Sequence, residues 1–349
     1  MCSLIEIGIH TDGKVMLDMD KSSNPHIAIS GRSGAGKSVA GQKIIRNIAV
    51  NGASPIIVFD MHRLFSDENI FPEYRNDIKE KSHDIKADSA GISIPLFSPL
   101  MYTDGKSEDM LNVITSITNV LSSAIRLGAR QREYLFEAVD FVAEEKSYEK
   151  YGIAALDRAL NMVNDVKAAA IQDKLRYIFK KNVFHNGPNF IEDHKINILR
   201  LSKFSEPTQV LIVEIILAYI WRLANTGVFR ENGLCLFLDE CQNLNWGKTG
   251  IISTILSEGR KLGLQLVLIT QALGGSSKAD LTRCLLQAGN QLFFSPPENE
   301  IAMVGRLIGE KRQAYWQMRL KTLKVGECVV NGSLIINEAA YNGALKIKI

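Results

Sequence analysis

The chain has 349 residues, 46% hydrophobic and 23% charged, with 41 Lys and Arg against 38 Asp and Glu for a net charge of +3. This balance excludes a disordered tail protein, a collagen-like fibre and a small disulfide scaffold, and is enough chain for one large domain or one domain with an insertion. So small a bias does not indicate nucleic acid, and any such contact must come from local patches.

No apolar run approaches the roughly 18 to 20 residues that span a bilayer, and acid and polar residues interrupt the N-terminus where a signal peptide needs an apolar core. Cys2, Cys235, Cys241, Cys284 and Cys328 form no CxxC pair and no Cys/His metal spacing. Most lie in apolar runs, which reads as reduced, buried thiols in a cytoplasmic protein. None of the six histidines pairs with a nucleophile at a recognisable spacing.

In chain order, residues 4 to 18 read as a hairpin, with Leu4, Ile5, Ile7 and Ile9 before the turn Thr11-Asp12-Gly13-Lys14 and Val15, Leu17 and Met19 after it. A short buried strand, Ile27 to Ser30, leads into a Gly-rich turn and a helix of about 14 residues beginning near Gly36. A second strand, Ile56 to Phe59, ends in Asp60; strand, helix and strand at this spacing predict a parallel βαβ unit. From Glu108 to Lys181 apolar residues recur at three and four, predicting about four inserted helices bounded by Pro95 and Pro99 before and Gly187 and Pro188 after.

The α/β pattern then resumes. Strands are predicted at Ile196 to Leu201, Leu234 to Leu238, Leu264 to Ile269, Gln291 to Phe294, Cys328 to Val330 and Leu334 to Ile336, with helices at Gln209 to Ala224 and Ile251 to Leu262. The expected organisation is a hairpin and first half of the core over 1–104, a helical insertion over 105–187 and the second half over 188–349.

The strongest motif is Gly31-Arg32-Ser33-Gly34-Ala35-Gly36-Lys37-Ser38, which fits GxxxxGK[ST] between a strand and a helix. Glycines let successive backbone N–H groups point at one anion, and the helix start adds its positive end. Gly31, Ser33, Gly34, Ala35, Gly36, Lys37, Ser38 and Val39 are therefore the expected nucleotide-binding set. Lys37 is expected to reach the β and γ phosphates, and Ser38 to bind Mg²⁺ through its hydroxyl.

The strand Leu234 to Leu238 ends in Asp239-Glu240, at the carboxyl end of the sheet where the phosphate loop also lies. Asp239 is expected to hold Mg²⁺ and Glu240 to activate the attacking water. Gln271, which closes the next strand, is expected to sense the γ-phosphate.

These residues, followed by Ser257-Glu258-Gly259-Arg260-Lys261-Leu262-Gly263 and a strand ending Thr270-Gln271, resemble the HerA/FtsK superfamily of hexameric pumping ATPases. Phe59-Asp60-Met61-His62 is similar to the family's Asp-Pro-His or Asp-Pro-Lys motif, Pro95-Leu96-Phe97-Ser98-Pro99-Leu100 to its Asn-Pro-Leu segment, and the helical insertion and closing Lys324 to Val329 also fit. The resemblance spans roughly residues 22 to 336 and implies a RecA-like P-loop core with a mainly parallel sheet, ATP and Mg²⁺, and a ring of identical subunits. It also implies that Arg260 reaches a neighbouring subunit's nucleotide, where a guanidinium can neutralise charge on the transferred phosphoryl group. Two departures stand out: the N-terminal hairpin is too short for the HerA-type β-barrel, and no transmembrane anchor of the coupling-protein kind is expected.

Two loops follow the catalytic strands, Asn245 to Thr249 and Gly274 to Lys278. Either Lys248 and Lys278 track phosphates at a central pore while Trp246 stacks or wedges, or these are solvent-exposed loops with one packed aromatic. Arg306, Lys311, Arg312, Arg319 and Lys321 read as the solvated face of a C-terminal helix. Three functions follow: a double-stranded DNA translocase or helicase, alone or with a nuclease or other effector; a secretion or conjugation ATPase at a membrane complex; and a slowly hydrolysing ATP-binding switch.

Overall fold

The computed structural model describes residues 3–163, 165–247, 250–271, 273 and 279–349. The chain begins with the hairpin β1 (Leu4–His10) and β2 (Gly13–Asp18), then β3 (Ile27–Ser30), α1 (Lys37–Asn51) and β4 (Ile56–Asp60). α2 (Arg75–Lys81) leads into β5 (Ser82–Ile85) and the two-residue β6 (Ile92–Ser93). The helices α3 (Met110–Ala124), α4 (Ala129–Glu144), α5 (Ser147–Tyr151), α6 (Ala154–Val163) and α7 (Val166–Lys181) follow, and β7 (Phe184–His185) returns to pair with β6. Next come β8 (Ile196–Arg200), α8 (Glu206–Asn225), β9 (Leu234–Leu238), α9 (Ile251–Glu258), β10 (Leu264–Thr270), α10 (Ala279–Leu285) and β11 (Asn290–Phe294). α11 (Ile301–Ile308), α12 (Gln313–Lys321), β12 (Glu327–Ile336) and β13 (Ala339–Lys348) complete the chain.

The main sheet has the order β13-β1-β2-β12-β11-β3-β10-β9-β4-β8-β5, and the strands from β11 to β5 run parallel. Every residue of β4, β9 and β10 is buried, because helices cover both faces and neither can be polar. Alternate residues serve opposite cores: Phe237, Val267 and Ile269 meet Ile44, Ile45 and Ile48 of α1, whereas Leu236, Leu238, Leu266 and Leu268 meet Ile212, Ile216 and Ile220 of α8. This is the mostly parallel, RecA-like P-loop fold that the sequence implied.

The structure changes several details. α8 has 20 residues and, contrary to the expectation that no apolar run approaches a span, is by length and composition alone apolar and long enough to cross a membrane; 72% of its most apolar window is buried inside the fold. The helix expected over 251–262 ends at Glu258, and its last turn, Gly259–Leu262, is a tighter 3₁₀ turn. The basic C-terminal helix is two helices, α11 and α12, separated by an extended Gly309.

The two short strands expected near the C-terminus are one, β12, and β13 was not foreseen. β12 pairs with β11 over Cys328–Asn331, with β2 over Leu334–Ile336 and with β13 along its whole length. β13 in turn meets β1 at Ile9↔Lys348. The N-terminal hairpin and the C-terminal hairpin thus close on one another beside the parallel sheet, which leaves neither as an appendage.

Candidate active site

β3 and β9 flank β10, and all three run parallel, so their carboxyl ends lie on one edge of the sheet. Two strand spacings, about 10 Å, separate the ends of β3 and β9. The phosphate loop follows β3 and the two acids follow β9, which places Lys37 and the pair Asp239 and Glu240 across the end of β10.

The loop is shaped by its glycines. Gly34 and Gly36 have φ of 75° and 107°, a region that L side chains rarely adopt. A Cβ on Gly36 would also stand 3.1 Å from Gly326 Cα, at the start of the turn into β12. The loop is held from outside by backbone bonds: Arg32 N–H donates to the Ser295 carbonyl at 2.8 Å, and Gly326 N–H to the Ala35 carbonyl at 3.0 Å. Gly31 and Ala35 are buried, Ser33 and Gly34 are exposed, and Ser38 and Val39 are half-buried in the first turn of α1.

Lys37 is buried and donates through Nζ to the Arg32 carbonyl at 3.0 Å. Burial lowers the pKa of its ammonium, and the fields of Glu240 and Asp239 oppose that shift. Asp239 is pushed up to about 6, first by burial and then by the Glu240 carboxylate, against the N–H of Glu240 (2.9 Å), His62 and Lys37. His62 follows β4, so a third strand end contributes to the same cluster. Asp60, the last residue of β4, is buried and ion-paired to Arg200 at 2.7 Å, and Arg200 also reaches Asp84 at 2.7 Å. Burial raises the Asp60 pKa and Arg200 opposes the rise.

Glu240 sits at φ 51°, a left-handed conformation that costs a non-glycine residue about 1–3 kcal/mol. Gln271 donates to its Oε1 at 2.6 Å, and Gln242 donates to its Oε2. Gln242 was not among the expected site residues. Its only signal in the sequence was an amide two positions after the acid. Its own Oε1 is buried and has no hydrogen-bond partner among the described residues.

Arg260 is not part of this cluster. It is exposed on the 3₁₀ turn before β10, at the amino edge of the sheet, and donates to the Ser23 carbonyl. The seven residues of β10 put it about 23 Å from the carboxyl edge. Of the two readings of Trp246, the structure shows the packed aromatic: it is buried, with Nε1 donating to the Cys241 carbonyl at 2.7 Å, because the loop after Glu240 folds back over α8. Lys248, Thr249 and Gly274 to Lys278 lie outside the described residues.

With this geometry in place, the comparisons decide the family. The family described as "Helicase HerA, central domain" matches residues 5–220, more than half of the chain. The chain belongs to this family. It is a P-loop ATPase motor of the HerA/FtsK superfamily. The match contains the phosphate loop, β4 and the helices α3 to α7, and ends before Asp239, Glu240 and Gln271.

Solved structures show the same fold for this HerA-family chain. VirB4 of Thermoanaerobacter pseudethanolicus is similar with a TM-score of 0.73 at 18% identity, over 99% of this chain and 96% of that one. The bacterial conjugative coupling protein TrwB lacking its first 70 residues is similar at 0.60 and 12%, over 98% and 88%. TrwB with ADP and Mg²⁺ is similar at 0.58 and 13%, over 93% and 84%. No curated protein matches the sequence.

Proposed function

We propose that this chain is a ring-forming motor that hydrolyses ATP with Mg²⁺ to move double-stranded DNA. One observation carries the chemistry: a buried lysine in a glycine-shaped anion cradle faces two carboxylates at the end of β9, two strands away on the same edge of the sheet. The donor set suits the ligand. Successive loop N–H groups and Lys37 suit phosphate oxygens, and buried Asp239 with half-buried Glu240, together with the Ser38 hydroxyl in the first turn of α1, supply the oxygen chemistry that a hard divalent cation takes. Mg²⁺ bound there would neutralise phosphate charge.

Lys37 binds the terminal phosphates, Ser38 and Asp239 hold the cation, and Glu240 takes the proton of the attacking water. Gln271, already on Glu240, links the base to the strand end that faces the γ-phosphate. Arg260 lies too far from the cluster to serve its own subunit's nucleotide, and the resemblance gives its charge to a neighbour's phosphates in a ring. The similarity to TrwB with ADP and Mg²⁺ supports the ligands. The buried free Cys235, Cys241, Cys284 and Cys328 support a reducing, cytoplasmic address.

A second reading, a conjugation or secretion ATPase at a membrane complex, is favoured by the extent of the VirB4 similarity. ATP turnover measured with and without duplex DNA, on material of weighed assembly state, separates the two. DNA-stimulated turnover supports translocation. Turnover indifferent to DNA but dependent on assembly favours the second reading. No turnover in any assembly overturns both.

A further inference from the structure

β13 pairs with β12 from Glu327↔Lys348 to Ile336↔Ala339, yet on its other side the register contains only Ile9↔Lys348. Among the described residues no strand occupies the rest of that edge. A groove of about 530 Å³ lies against β13, walled by α12 and by the tip of the β1–β2 hairpin.

The groove has two kinds of lining. Arg312, Arg319, Lys346 and Lys348 bring positive charge, and the acid among them, Glu327, is neutralised by Lys346 at 2.8 Å. Ile9, Tyr315 and Tyr341 are 57%, 43% and 38% exposed, unusual for large apolar side chains gathered in one place. An open strand edge presents alternating N–H and C=O groups, and only another polypeptide backbone can both accept from and donate to such a row. A DNA backbone offers acceptors alone. The basic and apolar groups are interleaved, with Arg319 Nε donating to the Tyr315 hydroxyl at 3.2 Å, so an added strand carrying both acids and apolar residues meets them together.

We propose that this groove receives an extended acidic segment of a partner protein, added as a strand to the free edge of β13. The segment carries both carboxylates, for the arginines and lysines, and aliphatic or aromatic residues, for Ile9, Tyr315 and Tyr341. The seat is connected to the phosphate loop. Ile349 N–H, just past β13, donates to the Gly326 carbonyl at 2.9 Å, and Gly326 N–H donates to the Ala35 carbonyl.

Fluorescence anisotropy on the full chain tests this with a labelled ten-residue peptide alternating Glu with Val and Phe. Controls are the same peptide with two central prolines, its Lys counterpart, and labelled duplex and single-stranded DNA. The expected result is saturable binding of the acidic peptide, weakened about ten-fold or more in R312E/R319E and lost with the prolines. Both arginines are exposed, and a melting curve and ATP binding verify that the variant is folded. Equal binding of the proline peptide would reduce the effect to charge alone and overturn strand addition. DNA binding that R312E/R319E abolishes, with the peptide ignored, would assign the groove to nucleic acid. A changed assembly mass in R312E/R319E, without peptide binding, would assign it to a second copy of the chain.

Discussion

The Gln271 amide donates to Glu240 Oε1 at 2.6 Å across the ends of β10 and β9, two strands adjacent in the sheet but 31 positions apart in the sequence. The proposed base is therefore engaged on one oxygen by the proposed sensor, and on the other by Gln242. Glu240→Gln keeps the shape and these amide partners within reach but removes the proton acceptor. Turnover should fall about 10²- to 10⁴-fold with nucleotide affinity within a factor of a few. Paired turnover and equilibrium binding of a labelled ATP measure both, and near-normal hydrolysis would remove Glu240 from the base role.

Gln242 makes a sharper case. Gln242 and Gln271 together fix the orientation of the Glu240 carboxylate, one on each oxygen. Gln242→Ala withdraws one of these donors and should lower kcat about two- to ten-fold with KM and nucleotide affinity nearly unchanged. Gln242→Glu should lower it further, because a second carboxylate there repels the first. Turnover unchanged in Gln242→Ala would make Gln242 a structural residue only.

Lys37 supplies the positive charge at the centre of the loop. Lys37→Ala should weaken ATP binding by about 10²-fold or more while leaving the melting temperature nearly unchanged or higher, since a desolvated ammonium is removed from a buried position. Titration calorimetry and thermal melts on the same preparation check this. Unchanged affinity would sink the nucleotide assignment.

Arg260 is proposed to act across a subunit boundary. Arg260→Ala should bind ATP normally yet hydrolyse it about 10³-fold more slowly in the assembled state. Turnover at the full rate by an isolated monomer would contradict the shared site.

Glu214 on α8 is buried, accepts from Asn245 N–H at 2.9 Å, and is pushed up to about 7 from 4.5, chiefly by burial. A carboxyl with a raised pKa contributes stability that is complete below about pH 4.5 and is lost as pH rises through about 7. The shift corresponds to about 3 kcal/mol between those limits. Glu214→Gln should match the parent near pH 5 and melt roughly 5 °C higher at pH 8, because the amide oxygen still accepts from Asn245 without being charged. Equal melting curves at both pH values would mean that Glu214 stays ionised.

Much of the fold was legible because it rests on local periodicity. Buried runs such as Leu234–Leu238, whose bounds are those expected, and the apolar spacing of α3 declare themselves within one element. β13 escaped because Ala339–Lys348 carries Ala residues and an internal Asn-Gly that reads as a turn; what makes it a strand is its ladder with β12. The sequence leaves Trp246 open between a wedge and a packed aromatic, because a loop sequence cannot show that its indole folds back onto the Cys241 carbonyl.

The chain by itself determined that a strand, a glycine-rich turn and a helix would form a phosphate cradle, since short-range backbone sterics and hydrogen-bonding needs dictate it. Tertiary structure alone decided that Glu240 lies between two amides, that His62 joins the acids from a third strand, and that the two terminal hairpins close on each other. Those outcomes depend on strand order and register, set by summed burial over the whole sheet, and no window of a few residues contains that sum.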